Sequence, residues 1–377
     1  MSAVSVRQIP LLDLQAQHKH IREEVLAEIV RVVDSQKFIL GEDVKKLEGE
    51  IASYCKAKFA IGCASGSDAL ILALMALEIG PGDEVLTTPY TFFATAGAIS
   101  RVGATPVFVD VDEDTFNLNV ELMKKTLTAH PKVRAMIPVH LFGGCADMDP
   151  ILEMAGDRGI AVIEDAAQSI GSEYKGRRAG TMGKIGTFSF FPSKNLGCYG
   201  DGGIITTEDA AVAERLAALR VHGGKKKYYH EWIGMNSRLD ALQAAVLRVK
   251  LRYLDGWSEG RQQNAELYRR HLAKMAVPVA PLTPAAYQTR HIYNQFVILT
   301  ERRDALQAHL KAQGIGTEVY YPIPLHLQPC YTFLGHNKGD FPVSERLAEQ
   351  SLALPVHSEL GADDIEYICE TIRAFYA

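Results

Sequence analysis

Four short segments hold the residues whose types and spacing could do chemistry. Lys194 closes the run GTFSFFPSK, just past Pro192. A lysine behind the rings of Phe190 and Phe191 is a candidate for a lowered pKa, and hence for Schiff-base chemistry. An exposed loop lysine is the plainer alternative. Asp165 follows Glu164 at the end of the apolar stretch GIAVI. A carboxylate ending a buried strand is costly unless a cation awaits it. Gln168, three residues on, could face the same cavity, although an ion pair with a nearby Arg or Lys would also account for the acid. The third segment is Ala64-Ser65-Gly66-Ser67-Asp68, between a strand and a helix. The unpaired N–H groups and partial positive charge of a helix start hold phosphate well. Gly66 lets the backbone come close and Ser67 adds a hydroxyl, yet Ser and Asp are also ordinary N-caps. The fourth, TPYTFFAT from Thr88 to Thr95, sets aromatic rings at another strand end, as a platform or as core.

Together these pieces fit one ligand, pyridoxal 5'-phosphate. It needs a lysine for its aldehyde, a carboxylate for its pyridinium nitrogen, a phosphate cradle and a flat face for stacking. A charge-assisted pair of the carboxylate kind is worth about 1.5–3 kcal/mol net. It also keeps the ring nitrogen protonated, so the ring can withdraw electrons.

The elements that must position these groups alternate. Helical periodicity at Ile21, Val25, Ile29 and Val32 follows an arm of about 15 residues, and a second helix is expected over 42–54. Strands are then expected at 59–61, 85–87, 106–111, 136–139, 161–163 and 187–191, with helices at 67–77 and 92–102 between them. Such alternation predicts an α/β domain with a mainly parallel sheet, whose ligands sit at the carboxyl ends of the strands. A long helix is expected over 239–267, then strands at 292–298 and 316–321. The chain is therefore divided into a large domain, 1–254, with its N-terminal arm, and a smaller α+β domain, 255–377.

Composition narrows the classes. Of 377 residues, 47% are apolar and 23% charged, as in soluble globular proteins. The 40 basic and 45 acidic residues leave a net charge of −5, so no basic footprint for nucleic acid exists. The one dense basic run, Lys225-Lys226-Lys227, sits among Tyr228, Tyr229 and His230, as a solvated loop or a phosphate-binding patch. No apolar run approaches the ~18 residues of a membrane span. Six scattered cysteines form no C-x-x-C pair, so neither a zinc ribbon nor any other metal site is expected, and a reducing cytoplasm is.

The motifs GSDAL, TPYTFFATA, VIEDAAQS, SFFPSKNLG, GDGG, GMNSRLDALQAA and YYPIPLHLQP resemble the DegT/DnrJ/StrS family of sugar aminotransferases. The resemblance runs from IPLLDL near the start to LPVH at 354–357. It implies the aspartate-aminotransferase fold, type I of the pyridoxal-phosphate enzymes. It also implies Lys194 as Schiff-base lysine and proton shuttle, Asp165 against the pyridinium nitrogen, Gln168 near the ring hydroxyl and Phe92 stacked on the ring. Gly66, Ser67 and Ser189 would hold the phosphate. Asn236 would reach the phosphate of a neighbouring subunit's cofactor, giving a homodimer with shared sites. Arg238 and His326 are implied as substrate contacts, Tyr321 and Tyr320 less directly. Dehydratase relatives carry His where this chain has Lys194, so transamination is favoured. L-glutamate is the implied donor and a UDP- or dTDP-linked keto sugar the acceptor, as in O-antigen amino sugar synthesis. NSRLDALQAA is similar to members acting at C3, especially on UDP-3-keto-N-acetylglucosaminuronic acid, rather than at C4. A keto-cyclitol acceptor and a cofactor-binding regulator without turnover are the alternatives. A nucleotide-binding dehydrogenase ranks below both, for want of a G-x-G-x-x-G motif.

Overall fold

Ile21, Val25 and Val32 are buried along one face of α1 (Leu14–Ser35), the stripe that a period of 3.6 demands. Asp13 caps this helix, accepting from the Ala16 N–H at 2.8 Å. Helix α2 (Glu42–Cys55) buries Val44, Leu47 and Ile51 likewise. The computed structural model describes residues 7–377, so positions 1–6 of the expected arm lie outside the described residues. Of the rest of that arm, Ile9 pairs with Ile315 and packs among residues of the C-terminal core.

The central sheet contains β1 (Phe59–Cys63), β2 (Glu84–Thr87), β3 (Thr105–Phe108), β4 (Val133–Met136), β5 (Ala161–Asp165), β6 (Ile185–Ser189) and β7 (Gly203–Thr207). Their order is β1-β7-β6-β5-β4-β2-β3. From β6 to β3 the neighbours run parallel, whereas β7 is antiparallel to both β1 and β6. Side chains alternate across a strand. Val162, Met136 and Phe188 therefore join the apolar cluster on one face, and Ile163, Ile137 and Ile185 the cluster on the other. Helix α3 (Gly66–Ala76) is buried along Ala69–Leu74, because it lies between the sheet and the helices α4 (Ala94–Arg101) and α7 (Ala210–Leu219). Helices α5 (Val120–Ala129) and α6 (Met148–Arg158) complete the crossovers.

The single helix expected over 239–267 is two, α8 (Ala241–Leu251) and α9 (Leu254–Ala273). The Arg252 and Tyr253 amides donate to Val249 and Lys250, three residues back, and this tighter turn ends α8. Beyond lies an antiparallel sheet of β8 (Ala280–Pro281), β9 (Phe296–Leu299) and β10 (Ser351–Leu354), packed with α10 (Arg303–Ala312) and α11 (Ala362–Tyr376). The strand expected over 316–321 is not formed. Only Glu318 bridges to Ala353, and Tyr321 has a φ of 62°. That irregular segment reaches back toward the central sheet and helps to wall the site.

Candidate active site

A cavity of about 580 Å³ opens at the carboxyl ends of β5 and β6, where a parallel sheet leaves a crevice for ligands. It brings together Gly66, Ser67, Phe92, Asp165, Gln168, Ser189, Lys194, Tyr320 and Tyr321. Three residues singled out in the sequence lie elsewhere. Asn236 is exposed, its backbone bridged to Val221. Arg238 is half-buried, and its Nε is buried with no hydrogen-bond partner among the described residues. His326 is closed in, its Nε2 3.1 Å from Glu345 Oε1 and its ring 4.7 Å from that of Phe341.

Lys194 sits on a tight turn after β6. Its amide donates to the Phe191 carbonyl at 2.9 Å, and Cys198 N–H closes the loop on Phe190 at 2.8 Å. The loop is also held from below, where buried Lys250 donates to the Gly197 carbonyl. Burial lowers the Lys194 pKa to about 8, against the attraction of Asp165. The same burial raises the Asp165 pKa, opposed by hydrogen bonds from Thr95 and the Ala167 N–H and by the charge of Lys194. In both groups desolvation outweighs the mutual attraction. A neutral Lys194 is a nucleophile. We therefore expect apo-protein to capture pyridoxal phosphate about tenfold faster per pH unit on approaching pH 8, then level off. Stopped-flow absorbance checks this, and an inflection near 10.5, the ordinary lysine value, would mark Lys194 as solvated.

Asp165 is aimed by residues that the sequence pattern does not single out. Thr95 Oγ1 donates to Oδ2 at 2.8 Å, Thr91 Oγ1 lies 3.0 Å from Thr95 Oγ1, and the Ala167 N–H reaches Oδ1 at 3.2 Å. The segment TPYTFFATA draws attention for its rings, whereas two of its three buried threonines fix the acid, Thr95 directly and Thr91 through Thr95. Gln168 is fixed as firmly, accepting from the Phe142 N–H and donating to Tyr321 Oη, both at 2.8 Å.

The cap of α3 is Ser65, whose Oγ accepts from the Asp68 N–H at 3.1 Å. The hydroxyl of Ser67 is thus not spent on capping, and the first N–H groups face the cavity end of the helix. A Cβ on Gly66 would stand 2.6 Å from Ser189 Cβ, so only glycine brings the helix start and Ser189 together. This cradle, with Lys194 and Asp165, fits the phosphate, aldehyde and ring nitrogen of pyridoxal phosphate. Gly66→Ala should force the helix start and Ser189 apart, and losing one hydrogen bond to the charged phosphate, about 1.5–3 kcal/mol, is roughly 10- to 150-fold in cofactor affinity. Equilibrium dialysis tests this, and an affinity within twofold of wild type would remove the cradle from the account.

The parallel sheet, its C-terminal crevice and the Lys–Asp pair define a pyridoxal-phosphate-dependent aminotransferase of the type I fold. The chain belongs to the DegT/DnrJ/EryC1/StrS aminotransferase family, which matches residues 19–373. It is 49% identical to a "pleiotropic regulatory protein" of Geobacillus stearothermophilus, over 98% of both chains. It is 45% identical to the UDP-N-acetyl-3-dehydro-alpha-D-glucosamine 3-aminotransferase of Acidithiobacillus ferrooxidans, over 97% of both. With the dTDP-3-amino-3,4,6-trideoxy-alpha-D-glucose transaminase of Streptomyces venezuelae it shares 44%, over 99% of this chain and 97% of that one. The solved structure of S. venezuelae DesV superposes with a TM-score of 0.94 at 43% identity, over 98% of each chain. Among the described residues, no helix is long and apolar enough to cross a membrane, and no His/Cys/Asp/Glu group could hold a metal ion.

Proposed function

We propose that this chain moves an amino group from L-glutamate to the C3 keto group of a UDP- or dTDP-linked sugar. The observation that carries the reading is Lys194 and Asp165 on one cavity, with the lysine pKa lowered to about 8. The two relatives named as transaminases support the acceptor class, since both names place nitrogen at C3.

Bound pyridoxal phosphate supplies an aldehyde that carries the amino group and a ring that accepts electrons. Lys194 Nζ takes a proton from the donor's α carbon in the first half-reaction and delivers one to the sugar carbon in the second. Asp165, anchored by Thr95 and Ala167, holds a proton on the ring nitrogen. Gly66, Ser67 and Ser189 bind phosphate at the start of α3, while Phe92 offers a face for stacking. Gln168 and Tyr321, already bonded to each other, stand by the ring hydroxyl and the substrate. Asn236 and Arg238 lie off their own cavity, which supports their use in a second copy's site within a homodimer: Asn236 at the phosphate, Arg238 at a substrate carboxylate. The turn at Arg252 and Tyr253 supports a division into 1–254 and 255–377, although Ile9 packs with the C-terminal part.

An absorbance titration with L-glutamate tests the donor, and a panel of UDP- and dTDP-linked 3- and 4-keto sugars tests the acceptor. NMR of the product fixes the position of nitrogen. An amine at C4 would overturn the regiochemistry, and a keto-cyclitol as the only acceptor would overturn the sugar. The relative named as a regulator motivates a second reading, cofactor binding without turnover, which predicts no spectral change with glutamate.

A further inference from the structure

The turn that carries Lys194 is tied to the C-terminal part of the chain by two side-chain amides. Asn195 and Asn294 are each 4% exposed. Asn294 Nδ2 donates to Asn195 Oδ1 at 2.8 Å, and Asn195 Nδ2 donates to the Ile292 carbonyl at 3.1 Å. The direction of both bonds is forced. A carbonyl only accepts, so Asn195 must turn its Nδ2 to Ile292 and its Oδ1 to Asn294, which then must offer Nδ2. Among the described residues, no other hydrogen bond joins residues 190–199 to residues 255–377.

The receiving segment is itself pinned. Arg261 on α9 is buried and donates to the carbonyls of Tyr293 and Asn294 at 3.0 and 3.3 Å. Arg269, further along α9, donates to Tyr293 Oη at 2.8 Å. From the opposite side, the Gly143 carbonyl accepts from the Ile292 N–H at 3.0 Å and the Phe142 carbonyl from the Gln295 N–H at 3.3 Å. A Cβ on Gly143 would stand 2.8 Å from the backbone nitrogens of Tyr293 and Asn294, so glycine alone allows this approach. Tyr293 has a φ of 46°, a conformation that a bulky residue keeps only where its surroundings impose it. Strain held from both parts of the chain, on a cavity wall that Asn294 and Gln295 line, marks a segment whose position matters to the site.

The turn Leu141–Gly143 also holds Gln168, whose Oε1 accepts from the Phe142 N–H at 2.8 Å. Lys194 and Gln168 come from different strand ends, yet both are referred to residues 292–295. The lysine turn's other bonds, at Phe190, Phe191 and Gly197, lie within 1–254. Those bonds fold the turn; the amide pair sets where the folded turn stands against the opposite wall. A displacement of about 1 Å at a reacting group costs about a hundredfold in rate.

We propose that Asn195 and Asn294 are positioning residues, a directed amide pair that holds the Lys194 turn in place for attack on the cofactor's aldehyde. The inference rests on the role of Lys194 proposed above. In that step the neutral Nζ bonds to the aldehyde carbon, and the aldehyde oxygen leaves with the two amine protons as water, so no other reactant is needed.

Capture of pyridoxal phosphate by the apo-protein, followed by stopped-flow absorbance over a range of cofactor concentrations, tests it. The half-saturating concentration reports docking, and the limiting rate reports the covalent step. Asn195→Ala and Asn294→Ala should each lower the limiting rate about ten- to hundredfold and leave half-saturation within about twofold. The double variant should be no slower than the slower single, because the two residues share one interaction. Asn294→Asp keeps the shape but loses the donor, so it should be as slow as Asn294→Ala; a wild-type rate there overturns the directed bond. Asn294→Ser, whose hydroxyl lies one bond nearer the backbone than Nδ2, carries the same expectation should an alanine variant not fold. Hydrogen exchange should quicken at the Lys194 and Cys198 amides in the slow variants and stay unchanged in β5. In Lys194→Ala the saturating phase should vanish, and its persistence overturns the role of Lys194 and the pair with it. If it vanishes while the asparagine variants keep the wild-type limiting rate, or change only half-saturation, the pair alone is overturned. Losses that add in the double variant overturn it too, since the two asparagines then act independently.

Discussion

Lys194→Ala should abolish transamination, with turnover down by at least about 10²–10⁴-fold from the lost proton transfer alone. The loss should exceed that range, because the covalent anchor for the aldehyde goes too. Lys194→Arg separates the possible reasons. Arginine keeps the positive charge near Asp165 but stays protonated at every working pH. If Lys194 mattered only as a counter-charge, arginine would rescue. If it acts as nucleophile and proton carrier, arginine should be as inactive as alanine. Lys194 is tuned for the second role, since burial brings its pKa to about 8 and leaves a substantial neutral fraction near neutrality. Fold disruption is a poor explanation for such a loss. The turn is set by backbone bonds at Phe191 and Cys198 and by the Lys250 staple, none of which uses the Lys194 side chain. Near-normal single-turnover absorbance changes with glutamate in either variant would overturn the assignment.

Much of this site was legible because its chemistry is local in sequence. Lys194, Asp165 and Gly66 each stand just past a strand, and the residues around them are read directly as a loop, a strand end and a helix start. The helices α1 to α3 were legible for a similar reason: their apolar stripes and caps are short-range signals. What stayed hidden depends on tertiary partners. The strand expected at 136–139 ends at Met136, since Pro138 has no N–H to donate, although Val139 still bridges to Asp165. Strand β7 was unread because two glycines precede it and its partners, β1 and β6, are distant in sequence. The break between α8 and α9 has no Gly or Pro to announce it, and the apolar residues continue across it. Thr95 escaped notice because a threonine becomes informative only once Asp165, seventy residues away, is seen within reach. His326 is hidden in the same way: its motif suggests a ligand contact, while its enclosure by Glu345 and Phe341 shows only once the fold is known.

Asp165→Asn tests the other end of the cofactor site, and its effect should fall on chemistry more than on folding. The side chains are nearly isosteric. Two donors converge on the native carboxylate, Thr95 Oγ1 and the Ala167 N–H. An asparagine oxygen can keep the Ala167 bond, and the Thr95 hydroxyl can turn to accept from the amide, since hydroxyls both donate and accept. The missing quantity is charge. Burial has already raised the Asp165 pKa, so the ionised form depends on those two donors and on a cation at the ring nitrogen. Without that charge the pairing loses about 1.5–3 kcal/mol, roughly 10- to 150-fold in cofactor affinity. Saturating cofactor should not restore activity, because a ring nitrogen without an anionic partner gives up its proton and with it the capacity to draw electrons from the reacting carbon. Turnover at saturation should therefore fall by at least the same factor as affinity. Thr95→Val should reproduce a fraction of the defect, since it removes the donor but leaves the charge. A fully loaded Asp165→Asn enzyme with wild-type turnover would show that Asp165 serves only to bind, and the proposed division of labour between Lys194 and Asp165 would fail.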